Sequence, residues 1–319
     1  MGEGGQGIRH ETLGNPCTGI PPSSASISNY FLIPNGKNNT MDTKPMMNFL
    51  ASDGLKLRYT IDDFTDPWGT PETLVLLHAA MGNSRRLYAW VPHLAREFRV
   101  VRPDLRGHGQ SDIPKPEQLS LERLALDVIE LIDHLGCKKV HLAGSSAGAI
   151  ISMQTAILYP ERICTLGIFA STPGLKNSLV DAEKWVAKIR EKGVRGFLAE
   201  TIADRFDVTK VEPGFMEWFL DESARTNPEL LSRFVPLMKS VDLTDQLHQI
   251  RCPTLAIVPD HDPISSMAQY EVLRNRIPHC EFIIYHDLPH NITDAVPDQC
   301  AEELKRFLLK HRARGQVYF

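Results

Sequence analysis

Residues 140–155 read Val-His-Leu-Ala-Gly-Ser-Ser-Ala-Gly-Ala-Ile-Ile-Ser-Met-Gln-Thr, an apolar run, a glycine-flanked pair of serines and a helix-like run in direct succession. The apolar run Val140-His141-Leu142-Ala143 has the length of a short strand buried in a sheet, and from Ala147 onward the chain reads as a helix. Between them lies Gly144-Ser145-Ser146-Ala147-Gly148, a Gly-x-Ser-x-Gly turn. A strand passing directly into a helix turns so sharply that the positions two before and two after its centre must lack bulky side chains. Both are glycine here. The pattern makes Ser146, rather than Ser145 or Ser152, the candidate nucleophile, raised above the sheet with a helix N-terminus beneath it.

Outward from this turn, short strand-like runs alternate with amphipathic stretches of helical length. The strand-like runs are Leu55–Thr60, Thr73–Leu77, Arg99–Val101, Leu166–Phe169, Thr254–Val258 and Phe282–Tyr285. Helical periodicity marks Ser84–Glu97, Leu121–Leu135, Ala147–Leu158, Ser266–Arg276 and Asp298–His311. Repeated βα units predict an α/β fold with a mostly parallel sheet and helices on both faces. One segment breaks the rhythm. Residues 178–249 contain helical patterns only, over Val180–Lys192, Gly196–Arg205, Gly214–Arg225 and Pro228–Val241. An all-helical insertion between two sheet strands predicts a cap over the carboxyl ends of the strands, where open α/β sheets bind ligands. The expected organisation is a core of residues 48–177 and 250–312, a cap of residues 178–249, and a disordered N-terminal extension of residues 1–47, rich in Gly, Ser, Asn and Pro.

The chain has 319 residues, 42% hydrophobic and 23% charged, with a formal charge of -4, which gives no footing for binding nucleic acid. No apolar run reaches the roughly 18 residues of a membrane span. The expected partner is a small molecule, and the charge and composition say nothing of oligomeric state. Six cysteines are scattered without CxxC or metal-type spacing, so they read as free thiols of a reducing compartment, the cytoplasm, with no metal or cofactor expected. A Cys280–Cys300 disulfide is the conceivable exception.

A serine hydroxyl is a weak nucleophile near neutral pH and needs a base within hydrogen-bond reach, itself oriented by a third group. Two late loops that follow strand-like runs supply them: Pro259-Asp260-His261-Asp262-Pro263 and His286-Asp287-Leu288-Pro289-His290-Asn291. We assign Asp262 as the acid and His290 as the base. Asp260, Asp287, His261 and His286 are the rivals in the same loops. The oxyanion formed on attack needs two backbone N–H donors, expected from Ala147 and, in the loop Leu77-His78-Ala79-Ala80-Met81-Gly82, from Ala80 rather than Ala79. Arg106-Gly107-His108-Gly109 reads as structural, its loop held by Asp104 and Arg106.

These motifs carry a resemblance. From about Leu55 to Leu309 the chain resembles the α/β-hydrolase superfamily, through Leu77–Gly82, Pro103-Asp104-Leu105-Arg106-Gly107-His108-Gly109-Gln110-Ser111, Gly144–Gly148, Asp260-His261-Asp262 and Pro289-His290-Asn291. Within it the chain is most similar to 3-oxoadipate enol-lactonases, through Ala187–Val194 followed by Phe197-Leu198-Ala199-Glu200, and Leu243. The resemblance implies the α/β-hydrolase fold, with an eight-stranded sheet and the cap inserted after the sixth strand. It implies a triad of Ser146, Asp262 and His290, with Ala80 and Ala147 as oxyanion donors. The chain departs from the pattern at Ala79, Ser145 and Pro289, which alters the pocket floor without removing a catalytic group.

The expected activity is cofactor-free hydrolysis of a small ester or lactone through an acyl-serine. Alternatives on the same scaffold are a carbon–carbon bond hydrolase of ring-cleavage products, a cofactor-free haloperoxidase or perhydrolase, and a ligand receptor. A carboxylate-bearing substrate would want a cation, for which Arg85, Arg86, Lys184 and Arg190 are the candidates.

Overall fold

The computed structural model describes residues 46–312. The predicted N-terminal extension lies outside the described residues except for its last two positions, and there the expectation fails. Met47 opens a strand, β1 (Met47–Leu50), whose backbone pairs with the next strand from Met47↔Tyr59 to Leu50↔Lys56.

The other strands are β2 (Lys56–Asp62), β3 (Thr73–Leu77), β4 (Arg99–Pro103), β5 (Val140–Ser145), β6 (Ile163–Phe169), β7 (Thr254–Pro259) and β8 (Cys280–Tyr285). They form one eight-stranded sheet in the order β1-β2-β4-β3-β5-β6-β7-β8. The pairs β1/β2 and β2/β4 are antiparallel; all the others are parallel. Every residue of β3, β5 and β7 is buried, as expected of central strands covered on both faces.

The helices are α1 (Val91–Leu94), α2 (Leu121–His134), α3 (Ala147–Leu158), α4 (Ala182–Glu200), α5 (Pro213–Ala224), α6 (Pro228–Ser240), α7 (Met267–Arg276), α8 (Ile292–Ala295) and α9 (Pro297–Lys310). On one side of the sheet, Leu124, Val128 and Ile132 of α2 pack in one cluster with α3 and with Tyr270 and Leu273 of α7. On the other side, Leu304, Phe307 and Leu308 of α9 join Trp90, Leu94 and Phe98. Helix α3 is buried almost all round because it lies under the sheet's centre, so its apolar residues show little one-sidedness.

The stretch Ser84–Glu97 is not the single α-helix its periodicity predicts. It runs as 3₁₀ turns over Ser84–Trp90, non-helical at Leu87, and becomes α-helical only at α1. Leu87, Trp90 and Leu94 still face the core, so the pattern reported burial correctly and the backbone type incorrectly. Arg85 and Arg86 meet two separate carboxylates, Glu222 and Asp294, a tertiary demand that local propensity does not encode. Between β6 and β7 the chain forms α4, α5 and α6, with a cluster of their own built on Ile189, Phe197, Phe219 and Leu231. The two helical patterns predicted before residue 205 are one helix, α4, broken at Gly193 (φ 69°, ψ 174°) and followed by a 3₁₀ turn, Ile202–Asp204.

The passage from β5 to α3 positions the site. Ser146 takes φ 51° and ψ -117°, a conformation that costs a non-glycine residue of order 1–3 kcal/mol unless its surroundings impose it. Its N–H donates to the Phe169 carbonyl at 2.9 Å, and its own carbonyl accepts from Ala149 N, Ile150 N and Ser171 Oγ. A Cβ on Gly144 would lie 2.4 Å from the Gly148 backbone, and one on Gly148 would lie 2.5 Å from the His78 carbonyl oxygen and 2.6 Å from that of Leu77. Neither space can open without moving the start of α3 away from β5 and from the end of β3. Gly148→Ala is therefore expected to lose at least about 1–3 kcal/mol in urea unfolding. Gly214→Ala, where nothing lies within 4 Å, is expected to be neutral or slightly stabilising in the same measurement.

Candidate active site

The turn after β5, the loop after β7 and the loop after β8 bring three side chains into line. His290 Nε2 lies 3.0 Å from Ser146 Oγ, and His290 Nδ1 lies 2.7 Å from Asp262 Oδ2. The proton inventory follows from the partners: a carboxylate can only accept, so Nδ1–H donates to Asp262 and Nε2 is left to accept from the Ser146 hydroxyl. His290 and Asp262 are buried and Ser146 is half-buried, so the line opens at its serine end.

Asp262 is also held from behind. Its Oδ1 accepts the Ile264 N–H at 2.7 Å, and its Oδ2 accepts the Tyr270 hydroxyl. Burial by itself would raise this carboxyl; the His290 ring, the Tyr270 hydroxyl and the Ile264 N–H outweigh it and hold the carboxyl below its ordinary value. Burial and the Asp262 charge push Tyr270 well above the usual tyrosine range, so it stays a donor. The sequence carries no sign of Tyr270, whose part depends on the packing of α7 against the loop after β7.

The rival residues are occupied elsewhere. Asp260 accepts from His261 and His286, each at 2.7 Å, and from the Asp287 N–H at 2.8 Å. Both histidines are largely solvent-exposed, and none of this group meets Ser146.

The loop after β3 is set by His78, which is fully buried. Its Nε2 accepts the Leu105 N–H at 3.0 Å, so the ring proton sits on Nδ1 and donates to the Ala79 carbonyl at 2.8 Å. In a trans peptide the carbonyl and the following N–H point in opposite directions. Pinning the Ala79 carbonyl to His78 therefore turns the Ala80 N–H away from it. Ala147 lies in the first turn of α3, where N–H groups have no intrahelical acceptor. Among the described residues no loop or cap carbonyl takes up the N–H of Ala80 or of Ala147. Ala80, Ala147, Ser146 and His290 line one cavity of about 60 Å³, whose remaining wall is mainly apolar and comes largely from the cap.

Of the four cations proposed for a substrate carboxylate, only Arg86 lines this cavity, and its charge is spent. It forms a bidentate pair with Asp294, both contacts at 2.6 Å, and stacks 4.1 Å over Phe219. Arg85 pairs with Glu222 at 2.9 Å, Lys184 is exposed beside Asp181, and Arg190 is exposed on α4. The cation missed in the sequence is Arg205, just after the cap's 3₁₀ turn, which lines the cavity with Ser146. The loop Asp104–Ser111 is structural, as expected. Arg106 forks onto Asp127 at 2.8 and 2.6 Å and also meets Asp53, while Asp104 accepts the Ser84 and Gln110 N–H groups. Ser145, one of the departures, shares a hydrogen bond of 3.0 Å with Thr293 on α8 behind the pocket.

With this geometry in place, the comparisons decide the family. Residues 72–294 match the α/β-hydrolase fold family. The chain belongs to that family. It is similar to the dihydrolipoyllysine-residue acetyltransferase component of the acetoin cleaving system of Pseudomonas putida, with 28% identity over 76% of this chain and 64% of that protein, so it spans less than two thirds of that relative. It is likewise similar to 3-oxoadipate enol-lactonase 2 of Acinetobacter baylyi, with 28% identity over 62% of this chain and 72% of the lactonase. Among solved structures, a thermophilic esterase from Thermogutta terrifontis with malate bound aligns at a TM-score of 0.72 and 26% identity, over 85% of this chain and all of that one. The enol-lactonase resemblance thus holds at low identity, beside likeness to esterases.

The buried histidines give this α/β-hydrolase a pH dependence of stability. Burial lowers His78 from its ordinary 6.5 to about 4, and burial together with the neighbouring His78 lowers His108 to about 3. Between about 6.5 and these values the unfolded chain holds more protons than the folded one, so stability rises with pH there. The contribution is complete above about pH 6.5, is lost progressively as pH falls below it, and is gone once pH has passed about 4 for His78 and about 3 for His108. Urea midpoints measured from pH 7 to pH 4 are expected to fall, and to fall less steeply in His108→Phe.

Proposed function

We propose that the protein hydrolyses a small carboxylic ester or lactone through an acyl-serine intermediate, without a cofactor. The observation that carries this reading is the unbroken line from Ser146 Oγ through His290 to Asp262, with contacts of 3.0 and 2.7 Å. Its likeness to a lactonase and to an esterase supports the same substrate class.

In the first step the Ser146 Oγ attacks the carbonyl carbon while its proton passes to His290 Nε2. The resulting imidazolium is stabilised by Asp262, which remains ionised because three groups favour its charge. The developing oxyanion is bound by the Ala80 and Ala147 N–H groups, the former aimed by His78. Collapse breaks the carbon–oxygen bond to the leaving alcohol, which takes the proton from His290. For a lactone the alcohol stays tethered to the acyl group. Water then attacks the acyl-serine with His290 again as base, releasing the acid and restoring Ser146. The narrow, mainly apolar cavity suits a small acyl group. We place the reaction in a reducing compartment, the cytoplasm, a reading supported by the five described cysteines, all of them free thiols, including Cys280 and Cys300. No described helix is long and apolar enough to cross a membrane.

Ser146→Ala is expected to lower kcat/KM for p-nitrophenyl acetate by about 10³-fold or more, with an unchanged urea midpoint. Unchanged turnover would sink the proposal. Asp262→Asn is expected to lower kcat by about 10⁴-fold while leaving KM nearly as it was, because the imidazole loses its tautomer and its counter-charge. Loss in KM alone would argue against that role.

A further inference from the structure

Arg205 is the one cavity-lining charge for which no carboxylate partner occurs among the described residues. The residue is 5% exposed, and the hydrogen bonds of its guanidinium come from Nη1 alone, to the carbonyl and hydroxyl oxygens of Thr201, each at 2.8 Å. The guanidinium otherwise faces rings, with its carbon 5.5 Å from the Trp185 centroid and 5.4 Å from that of Phe197. Asp204 and Asp262 attract it from beyond ion-pair range, and Arg86 repels it. Burial lowers its pKa only to about 10, so at neutral pH it is a cation.

A buried guanidinium held by one edge is costly unless a charge comes to meet it. Arg86, in the same cavity wall, shows the satisfied arrangement, with both edges of its fork on Asp294. Arg205 is fixed instead by neutral oxygens and aromatic faces, which hold the group in place without consuming its charge. Its backbone is tied to the site as well, the Arg205 carbonyl accepting the Asn291 N–H at 3.1 Å, one residue from His290. Resting on the ester or lactone reading above, we propose that Arg205 binds a carboxylate carried by the substrate, so that the enzyme selects half-esters of dicarboxylic acids, or lactones bearing a carboxylate, over neutral esters. The free edge of the guanidinium matches the two oxygens of such a group, and the dry surroundings strengthen the pairing. The scissile carbonyl then lies at Ser146 while the anion lies at the cap wall.

The test compares monoethyl succinate, glutarate and adipate with ethyl butanoate, pentanoate and hexanoate by pH-stat titration, in the full chain and in Arg205→Met and Arg205→Lys. The wild-type chain is expected to prefer at least one half-ester by about tenfold or more in kcat/KM, about 1.4 kcal/mol, the scale of one charge-assisted hydrogen bond. Arg205→Met is expected to erase that preference, its loss on the half-ester exceeding its loss on the neutral ester by the same factor, and Arg205→Lys to restore part of it. Equal losses on both esters, or no preference in the wild type, would overturn the proposal and leave Arg205 a structural residue. Glutarate binding by calorimetry needs no turnover. Binding weakened about tenfold or more in Arg205→Met supports the anion site, and binding that is absent or unaltered overturns it. A chain that binds glutarate through Arg205 but cleaves none of the six esters contradicts the hydrolytic reading alone.

Discussion

The site depends on how closely α3 is brought up to β3. Gly148 sits so near the Leu77 and His78 carbonyls that no side chain fits, and Gly144 is as close to Gly148. This contact imposes the strained Ser146 conformation and sets the start of α3 beside the loop after β3. Ser146 and the N–H groups of Ala80 and Ala147 then share one cavity. A wider spacing would relax Ser146 and dissolve that arrangement together.

Strain elsewhere follows the same logic. All four described non-glycine residues with positive φ, Met81, Ser146, Ala170 and Asp287, lie just beyond the carboxyl ends of strands β3, β5, β6 and β8. Strained backbone collects where a scaffold must aim groups at a ligand, and the rest of the fold holds it in place. Here the clamps are buried and charged. Arg86 joins the loop after β3 to Asp294 on α8 and to Ser223 and Phe219 on the cap, while Glu222 receives Arg85 and Asn83. Removing one partner of such a buried pair costs about 3–5 kcal/mol because the other is stranded, so the cap and the loop are coupled through groups that take no direct part in the proposed chemistry.

Much of this was legible in the sequence because it rests on local pattern. The Gly-x-Ser-x-Gly turn, the buried strand before it and the alternation of strands and helices are encoded within short windows, and α3 spans Ala147–Leu158 as its periodicity predicts. Asp262 and His290 were separable from their neighbours only in part. Asp260, His261 and His286 carry the same chemistry in the same loops, and it is their mutual pairing, a tertiary fact, that distinguishes them. Three features were hidden. Strand β1 is four residues long and owes its place to pairing with β2, Tyr270 depends on helix packing, and Arg205 is distinguished by the partner it lacks. The cations singled out in the sequence illustrate the limit: charge is visible in a sequence, but its neutralisation is not.

In the proposed chemistry Ser146 is made nucleophilic by His290 held on Asp262. Labelling with a fluorophosphonate, followed by peptide mass spectrometry, reads this most directly, because such a reagent phosphonylates only an activated serine at speed. A single adduct on the peptide containing Ser146 is expected, formed far more slowly in Asp262→Asn. An adduct on another residue, or ester turnover that continues undiminished after Ser146 is fully labelled, would contradict that chemistry.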